Sequence, residues 1–483
     1  MFQLGSSTRG LRAAIIAALS LAGCRTYELR PLDICAAEEA WLHRSVADET
    51  VREFAARLAA TERAQAETFD PTDGLTLSEA EPVALVFNRG LRVARLEARV
   101  AMATSEESGR WEDPIAGVDL ERILESVSDP WVVAASIGIT IPISGRLDAE
   151  SAHADAEYRA ALHAVAQREW ETRIAVRETW IRWSSHLERA ALLEQLVANL
   201  RSVAELATRQ EEGGVLSRID ARVFRVELAG RETDAEALRA QVNDVELELR
   251  DLLGLAPTAP LQLVAALALD APAGGERELR QMMLMRNPEL LASAELYEVA
   301  ELALRREIRE QYPDLTIGPG YADDQGESRA LFRLALPIPL WNRNQKAVAE
   351  ATAAREAARA RYEGTYERLS AHLVGAYRRH LAAREVREAI EHRVIPLALE
   401  QAEDVRRVAS MGRVDAMLQL QAIDAQHEAR LRLIDARAAE AIAAVRIQAL
   451  LGPDERGAGD STATQSSGLS ERSATAENGE TSP

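Results

Sequence analysis

Residues 331–345, LFRLALPIPLWNRNQ, hold two patterns back to back. Phe332, Leu334, Leu336, Ile338 and Leu340 occupy every second position, with Arg333, Ala335, Pro337 and Pro339 between them. Strand side chains alternate between two faces, so this period of two predicts a half-buried strand over 331–340. Pro337 and Pro339 cannot donate to a ladder and close it. Beyond Trp341-Asn342-Arg343 the chain turns into long Ala-, Glu- and Arg-rich helix.

The same event occurs earlier. Trp131, Val133, Ala135, Ile137, Ile139, Ile141 and Ile143 alternate with smaller or polar residues, and Ile141-Pro142-Ile143-Ser144-Gly145-Arg146 echoes Ile338-Pro339-Leu340-Trp341-Asn342-Arg343. The offset is about 197 residues, and a fixed offset is the mark of an internal repeat. Gly214 maps to Gly412, Leu252-Leu253-Gly254 to Leu450-Leu451-Gly452, and Asn88-Arg89-Gly90-Leu91 to Asn287-Pro288-Glu289-Leu290. Four landmarks in one order describe a duplicated chain.

Composition narrows the function. Aromatic residues are only 4% of the 483, which suits Ala/Leu packing between helices better than a large aromatic core. A net charge of −20 argues against a nucleic-acid binder, which needs a basic footprint. It fits either a soluble, mutually repelling helical surface or an acidic passage that tolerates cations. The two cysteines, Cys24 and Cys35, lack zinc or redox spacing. No apolar run reaches the roughly 18 residues of a membrane helix, so crossing a bilayer would require closed β structure.

Taken in order, residues 1–23 read as a signal peptide, with Arg9 and Arg12 ahead of an apolar run. Leu21-Ala22-Gly23-Cys24 resembles a bacterial lipobox, with Cys24 as the lipidated residue, and by resemblance to sorted lipoproteins Arg25 after it favours the outer membrane. A plain signal peptide with an incidental cysteine is the alternative. Residues 24–75 read as a leader packing on the body, 76–255 as repeat one, 256–277 as a Pro/Gly-rich linker, 278–452 as repeat two and 453–483 as a disordered tail. Each repeat is expected to run helix, β-hairpin, long helix, glycine turn and return helix. In repeat one these are a helix to about Ser108, strands over 115–124 and 131–143, and one helix over 146–212 without Pro or Gly. Gly213-Gly214 ends that helix, and Ser217 with Asp220 restarts it as a capping box. In repeat two they are a helix over 278–311, strands over 314–321 and 331–340 around a loop at 323–328, and a helix over 343–410 bent near Pro396. Gly412 and Asp415 form its turn.

Nothing in this pattern carries catalysis. The eight histidines form no two-histidine zinc motif; His427-Glu428 lacks the second ligand, and His372 with His380 reads as helix surface. No phosphate loop or nucleophile elbow is present. No cofactor, resident metal or catalytic residue is therefore expected. Asp220 and Asp415 read as helix caps, and the alternative reading, with Glu211 and Glu212 nearby, is an acidic constriction.

Duplicated units of this kind behind a lipobox resemble the outer-membrane efflux (TolC-like) family, over about residues 76–452. The resemblance rests on Asn287-Pro288-Glu289-Leu290, on the junctions at Pro142 with Gly145 and at Pro339 with Asn342, on the turns at Gly213, Gly214, Ser217, Asp220, Gly412 and Asp415, and on the LLG endings. Residues 338–345 together with Val394-Ile395-Pro396-Leu397 are similar to the heavy-metal-efflux branch. The resemblance implies a mainly α fold with a small β part: long-helix hairpins forming an α-helical barrel, and four strands per protomer in a trimeric twelve-stranded transmembrane β-barrel. It implies a homotrimer at the cell outer membrane whose helices extend into the periplasm. Its tips would dock on a periplasmic adaptor and an inner-membrane pump, and it would work as a passive duct rather than an enzyme. The competing reading is a structural coiled-coil lipoprotein without a channel, which has no use for period-two strands.

Overall fold

In the computed structural model, residues 27–62, 69–124, 131–324, 327–411 and 416–453 are described. The expected signal peptide, Cys24, Gly412, Asp415, the residues between the first two expected strands and all but the first residue of the expected tail lie outside them. The chain divides into two compact units at Arg44 and Ser45. In the first, α1 (Ile34–Leu42) is capped by Asp33, whose side chain accepts from the Ala36 N–H at 3.0 Å. The second holds everything else.

The second unit is mainly helical with one antiparallel sheet. Its elements are α2 (Glu49–Glu62), α3 (Leu77–Phe87), α4 (Arg89–Glu107), β1 (Ile115–Arg122), β2 (Trp131–Ile141), α5 (Arg146–Glu212) and α6 (Arg218–Leu252). The second repeat supplies α7 (Glu276–Arg286), α8 (Pro288–Arg309), β3 (Leu315–Asp324), β4 (Glu327–Ala335), α9 (Gln345–Ala389), a π turn (Ile390–Val394), α10 (Ile395–Ser410) and α11 (Ala416–Leu451). At ~1.5 Å per residue α5 is about 100 Å long. Most of the stability of a helix in a protein comes from packing, and α5 is held by its neighbours. Trp180 and Leu249 anchor one cluster, with Val51, Leu75, Val83 and Leu255 around them. Leu196, Leu200 and Phe224 meet Leu420 in a second. Leu279, Met283 and Leu290 pack on Leu369, Leu373 and Ile447 in a third.

Several expected elements are corrected. The helices to Ser108 and over 278–311 are each two helices, broken at Asn88 and Asn287. Each Asn side chain takes the N–H groups of the next helix: Asn88 Oδ1 accepts from Gly90 and Leu91 at 2.9 and 3.2 Å, and Asn287 Oδ1 from Leu290 at 2.9 Å. An N-cap of this kind starts a new helix without disturbing the apolar period on either side. The second long helix begins at Gln345, not Arg343. Its expected bend is a π turn just before Pro396, where the Ile395 N–H reaches Ile390 O. One wide turn accommodates the proline that an α ladder cannot. The linker is not open chain: Ala256, Ala259 and Leu267 are buried, and Leu263 bridges Leu75.

The Asn and LLG landmarks are one device, used twice. Asn88 Nδ2 donates to Leu252 O at 3.1 Å, and Asn287 Nδ2 to Leu450 O at 2.8 Å. One amide thus caps the start of one helix and the end of another about 160 residues away, as the 164- and 163-residue separations show. Asn287 is only 3% exposed. Asn287→Asp keeps the acceptor but sets a carboxylate against the Leu450 carbonyl, and is expected to lower stability by about 2 kcal/mol. Thermal unfolding followed by circular dichroism in detergent checks this; an unchanged midpoint contradicts it.

Candidate membrane-facing sheet and helix tips

The four strands form one sheet in the order β1-β2-β3-β4, all antiparallel. The pairing of β2 with β3 joins the two repeats into one surface, with Ala134 opposite Ala322 and Ile139 opposite Ile317. β1 and β4 are left as free edges. The strand bounds differ from those read in the sequence. β2 stops at Ile141, before Pro142, and β1 at Arg122. β3 and β4 continue past the expected loop, with Asp323 opposite Ser328 and Asp324 opposite Glu327. β4 ends at Ala335 because its partner begins at Leu315, and Thr316 opposite Ala335 is the last pair.

The register sorts the side chains into two faces. Val118, Ala135, Tyr321 and Ala330 stand on one level, and Ile139, Ile317 and Leu334 on another. With Leu120, Val133, Ile137 and Phe332 they give one face that is apolar except at the turn end, where Arg122, Asp323 and Ser328 stand. On the other face stand Asp119, Ser136, Thr140, Thr316, Gly318, Gly320, Arg329 and Arg333. On β2 the apolar positions 131, 133, 135 and 137 are exposed and the alternate positions 132, 134, 136 and 138 half-buried, while on the edge strands nearly every residue is open, Phe332 being 72% and Val118 67% exposed. A soluble sheet hides its apolar side against helices; this one presents it and puts polar and small residues on the reverse. That inversion matches a membrane barrel wall, apolar outward and polar inward. Among the described residues no helix is long and apolar enough to cross a membrane.

The junctions between sheet and helices hold the expected residues, with one shift. Gly145 has φ +70° and opens α5. Its counterpart by the echo, Asn342, does not play that part. Arg343 and Asn344 take the left-handed conformation, at φ 42° and 52°, and α9 begins after Asn344. Asn tolerates this region better than other side chains do. The Asn344 amide donates to Glu307 O at 3.0 Å and Oε2 at 2.9 Å, fixing the start of α9 on α8. Arg146, beside Gly145, reaches Glu112 and Asp314, each at 3.1 Å, and so ties the base of β1 to the base of β3. The contacts of Asn344, Glu307 and Arg146 escaped the sequence reading because their partners are remote in the chain. Pro142 directly follows the end of β2, whereas Pro339 lies four residues beyond the end of β4.

At the far end of α5 the chain reverses. Gly214 has φ +72°, the Val215 N–H reaches Gln210 O at 2.9 Å and the Gly214 N–H reaches Glu211 O at 3.0 Å. These are the two bonds of a Schellman ending. Ser217 then caps α6, its Oγ accepting from the Asp220 N–H at 3.2 Å and donating to Asp220 Oδ2 at 2.7 Å. Asp220 therefore serves as a cap partner, and Glu211 pairs with Arg225 at 3.2 Å, while Glu212 is exposed.

Long paired helices carrying the strands of a single antiparallel sheet are a fold this chain shares with solved outer-membrane channels. Residues 91–255 match the family model of the outer membrane efflux proteins. The cobalt-zinc-cadmium resistance protein CzcC of Cupriavidus metallidurans is 28% identical over 256 residues, 52% of this chain and 60% of the relative. Among solved structures, the outer-membrane channel OprN superposes with a TM-score of 0.68 at 17% identity, covering 90% of this chain and 99% of that one. CusC, solved in a study of transmembrane channel formation, gives 0.67 at 17% identity, covering 78% and 92%. At such identities the structural likeness is one of fold.

Proposed function

We propose that the protein is the outer-membrane exit duct of a tripartite export system, a passive homotrimer through which small molecules or metal ions leave the periplasm. The observation that carries this reading is the inverted sheet with two free edges. Four strands cannot close a barrel, since single-chain barrels start at about eight, but three copies supply twelve. In this reading 76–255 and 278–452 are the two efflux repeats. Their long helices enclose a tunnel below the membrane, and the turns at Gly213, Gly214, Ser217 and Asp220, with Gly412 and Asp415, meet a periplasmic adaptor that couples to an inner-membrane pump. Energy and most substrate choice lie in the pump. The name of the CzcC relative points to divalent transition-metal ions as the cargo. Cys24 anchors the mature chain in the outer membrane by its lipid.

The chain has a single lysine, Lys346, so amine crosslinkers report its assembly poorly. Light scattering in mild detergent is the direct test, with three chains per particle expected and a clean monomer counting against the duct. Cys24→Ala is expected to abolish incorporation of labelled fatty acid; undiminished labelling would refute the anchor. A coiled-coil spacer without a channel leaves the exposed apolar face of the sheet without a purpose.

A further inference from the structure

The two free edges of the sheet carry opposite charges on the same face. On β1 these are Asp119 and Glu121; on β4 the matching charge is Arg333. Among the described residues none of the three has an ion pair, whereas Arg329 is already held by Asp324 of its own chain at 2.7 Å. We propose that β4 pairs with β1 of a second copy in a staggered register that sets Arg333 against the partner's Asp119 or the partner's Glu121, on the water-filled side of the barrel. This deepens the trimeric-pore reading and rests on it.

Charge alone leaves the register open; barrel geometry and the apolar pattern fix it. Within one chain Asp119, Ala134, Ala322 and Arg329 lie on one level, so Arg333 stands four residues lower, level with Ile115. A barrel cannot close on level strands. Twelve strands tilted by 35–45°, about 4.8 Å apart and rising about 3.3 Å per residue, accumulate a stagger of about 12–17 residues, or about 4–6 per subunit. Only even displacements keep inward side chains inward. A shift of about four residues brings Arg333 to the partner's Asp119, and one of about six to the partner's Glu121.

The direction follows from the stretch beyond β4. Leu336, Ile338 and Leu340 continue the alternation of Phe332 and Leu334 beyond the end of β3, so their backbone has no strand to pair with in the single chain. The proposed stagger lays this stretch against the lower half of the partner's β1 and completes the strand expected over 331–340. The opposite stagger carries Arg333 past the start of β1 and leaves these residues with nothing to pair. Pro337 and Pro339 fall on the same alternate positions, so the donors they lack belong to one edge only, and the other edge stays competent. In the single chain the Leu340 N–H turns back on Ile338 O at 2.9 Å, a local bond that pairing would exchange for one across the seam.

Cysteine pairs read this register in the full-length chain with Cys35→Ser. Arg333→Cys with Asp119→Cys tests the four-residue stagger, Arg333→Cys with Glu121→Cys the six-residue one, and Arg329→Cys with Asp119→Cys the level alignment. One of the first two is expected to give disulfide-linked dimers and trimers under mild oxidation, well above the third. Preferential linkage of the level pair, or trimers by light scattering with linkage in none of the Arg333 pairs, overturns the register and leaves the pore standing. A monomer by light scattering removes the pore itself. Arg333→Glu is expected to reduce SDS-resistant trimer by about tenfold, the effect of opposing like charges across an interface. Adding Asp119→Arg and Glu121→Arg in the same chain is expected to restore it; absence of rescue contradicts the pairing.

Discussion

Glu81→Gln is expected to destabilise the folded protein by about 3–5 kcal/mol, the range for removing one partner of a buried ion pair. Glu81, in α3, is 5% exposed and sits between two arginines of α5. Arg173 Nε donates to Oε2 at 2.6 Å, and Arg177 Nε to Oε1 at 2.5 Å. Both guanidiniums also lie over the Trp170 ring, at 5.7 and 5.5 Å from its centre. The group reaches the second repeat: Arg177 donates to Gln448 Oε1 at 2.7 Å and Trp170 Nε1 to Ala449 O at 3.0 Å. Neutralising Glu81 leaves two largely buried cations side by side at the meeting of α3, α5 and α11.

The same site gives a pH dependence of known sign. Burial pushes the Glu81 carboxyl up, but the attraction of Arg173 and Arg177 outweighs it and holds the group below its ordinary 4.5. A carboxylate with a lowered folded-state value contributes stability above the unfolded value and loses it as pH falls through the folded one. The wild-type protein should therefore lose stability below about pH 4.5. Glu81→Gln, which has no proton to gain, should lose less, so the gap between the two should narrow in acid. Denaturant unfolding at pH 7 and in the acid range measures both; a gap that is constant with pH contradicts the account.

Gly452→Ala and Gly254→Ala are each expected to lower stability by about 3 kcal/mol or more, through backbone strain and steric conflict together. Gly452 has φ +87°, and a Cβ there would stand 2.2 Å from Arg286 O. Gly254 has φ +69°, with Phe87 O at 2.3 Å. Neither carbonyl can retreat easily, since each ends a helix that the Asn88 or Asn287 cap fixes to its neighbour. Gly214→Ala is the control. Its φ of +72° carries the same strain, but nothing lies within 4 Å of the added carbon, so about 1–2 kcal/mol is expected. Equal losses at Gly214 and Gly254 in thermal unfolding would show that close approach is not what the LLG endings require.

These positions show what was legible in the chain alone. Gly145, Gly213 and Gly214 mark helix ends because positive φ and turn geometry are local demands, and the 67-residue α5 runs between them as read. The alternation in β2 and β4 survives for the same reason. What could not be read is pairing over distance. Glu81 meets Arg173 and Arg177 across 92 and 96 residues, and no local signal links them. The end of β4 depends on where β3 begins, so an apolar period that continues to Leu340 overstates the strand of a single chain. Asn88 and Asn287 were visible as landmarks, but their double capping role needs the return helix in place. At the second junction Asn344 rather than Asn342 takes the left-handed turn, since the repeats differ by two residues there and the echo of Gly145-Arg146 misleads.

The central claim is that the inverted sheet, repeated by three copies, lines a water-filled pore. Reconstituting the purified full-length protein into planar lipid bilayers tests it most directly. Discrete conductance steps are predicted, with an ion preference that shifts when the trimer-restoring combination of Arg333→Glu, Asp119→Arg and Glu121→Arg changes the charge of the wall. Bilayers that stay silent while the protein is demonstrably inserted, for wild type and variant alike, would contradict it.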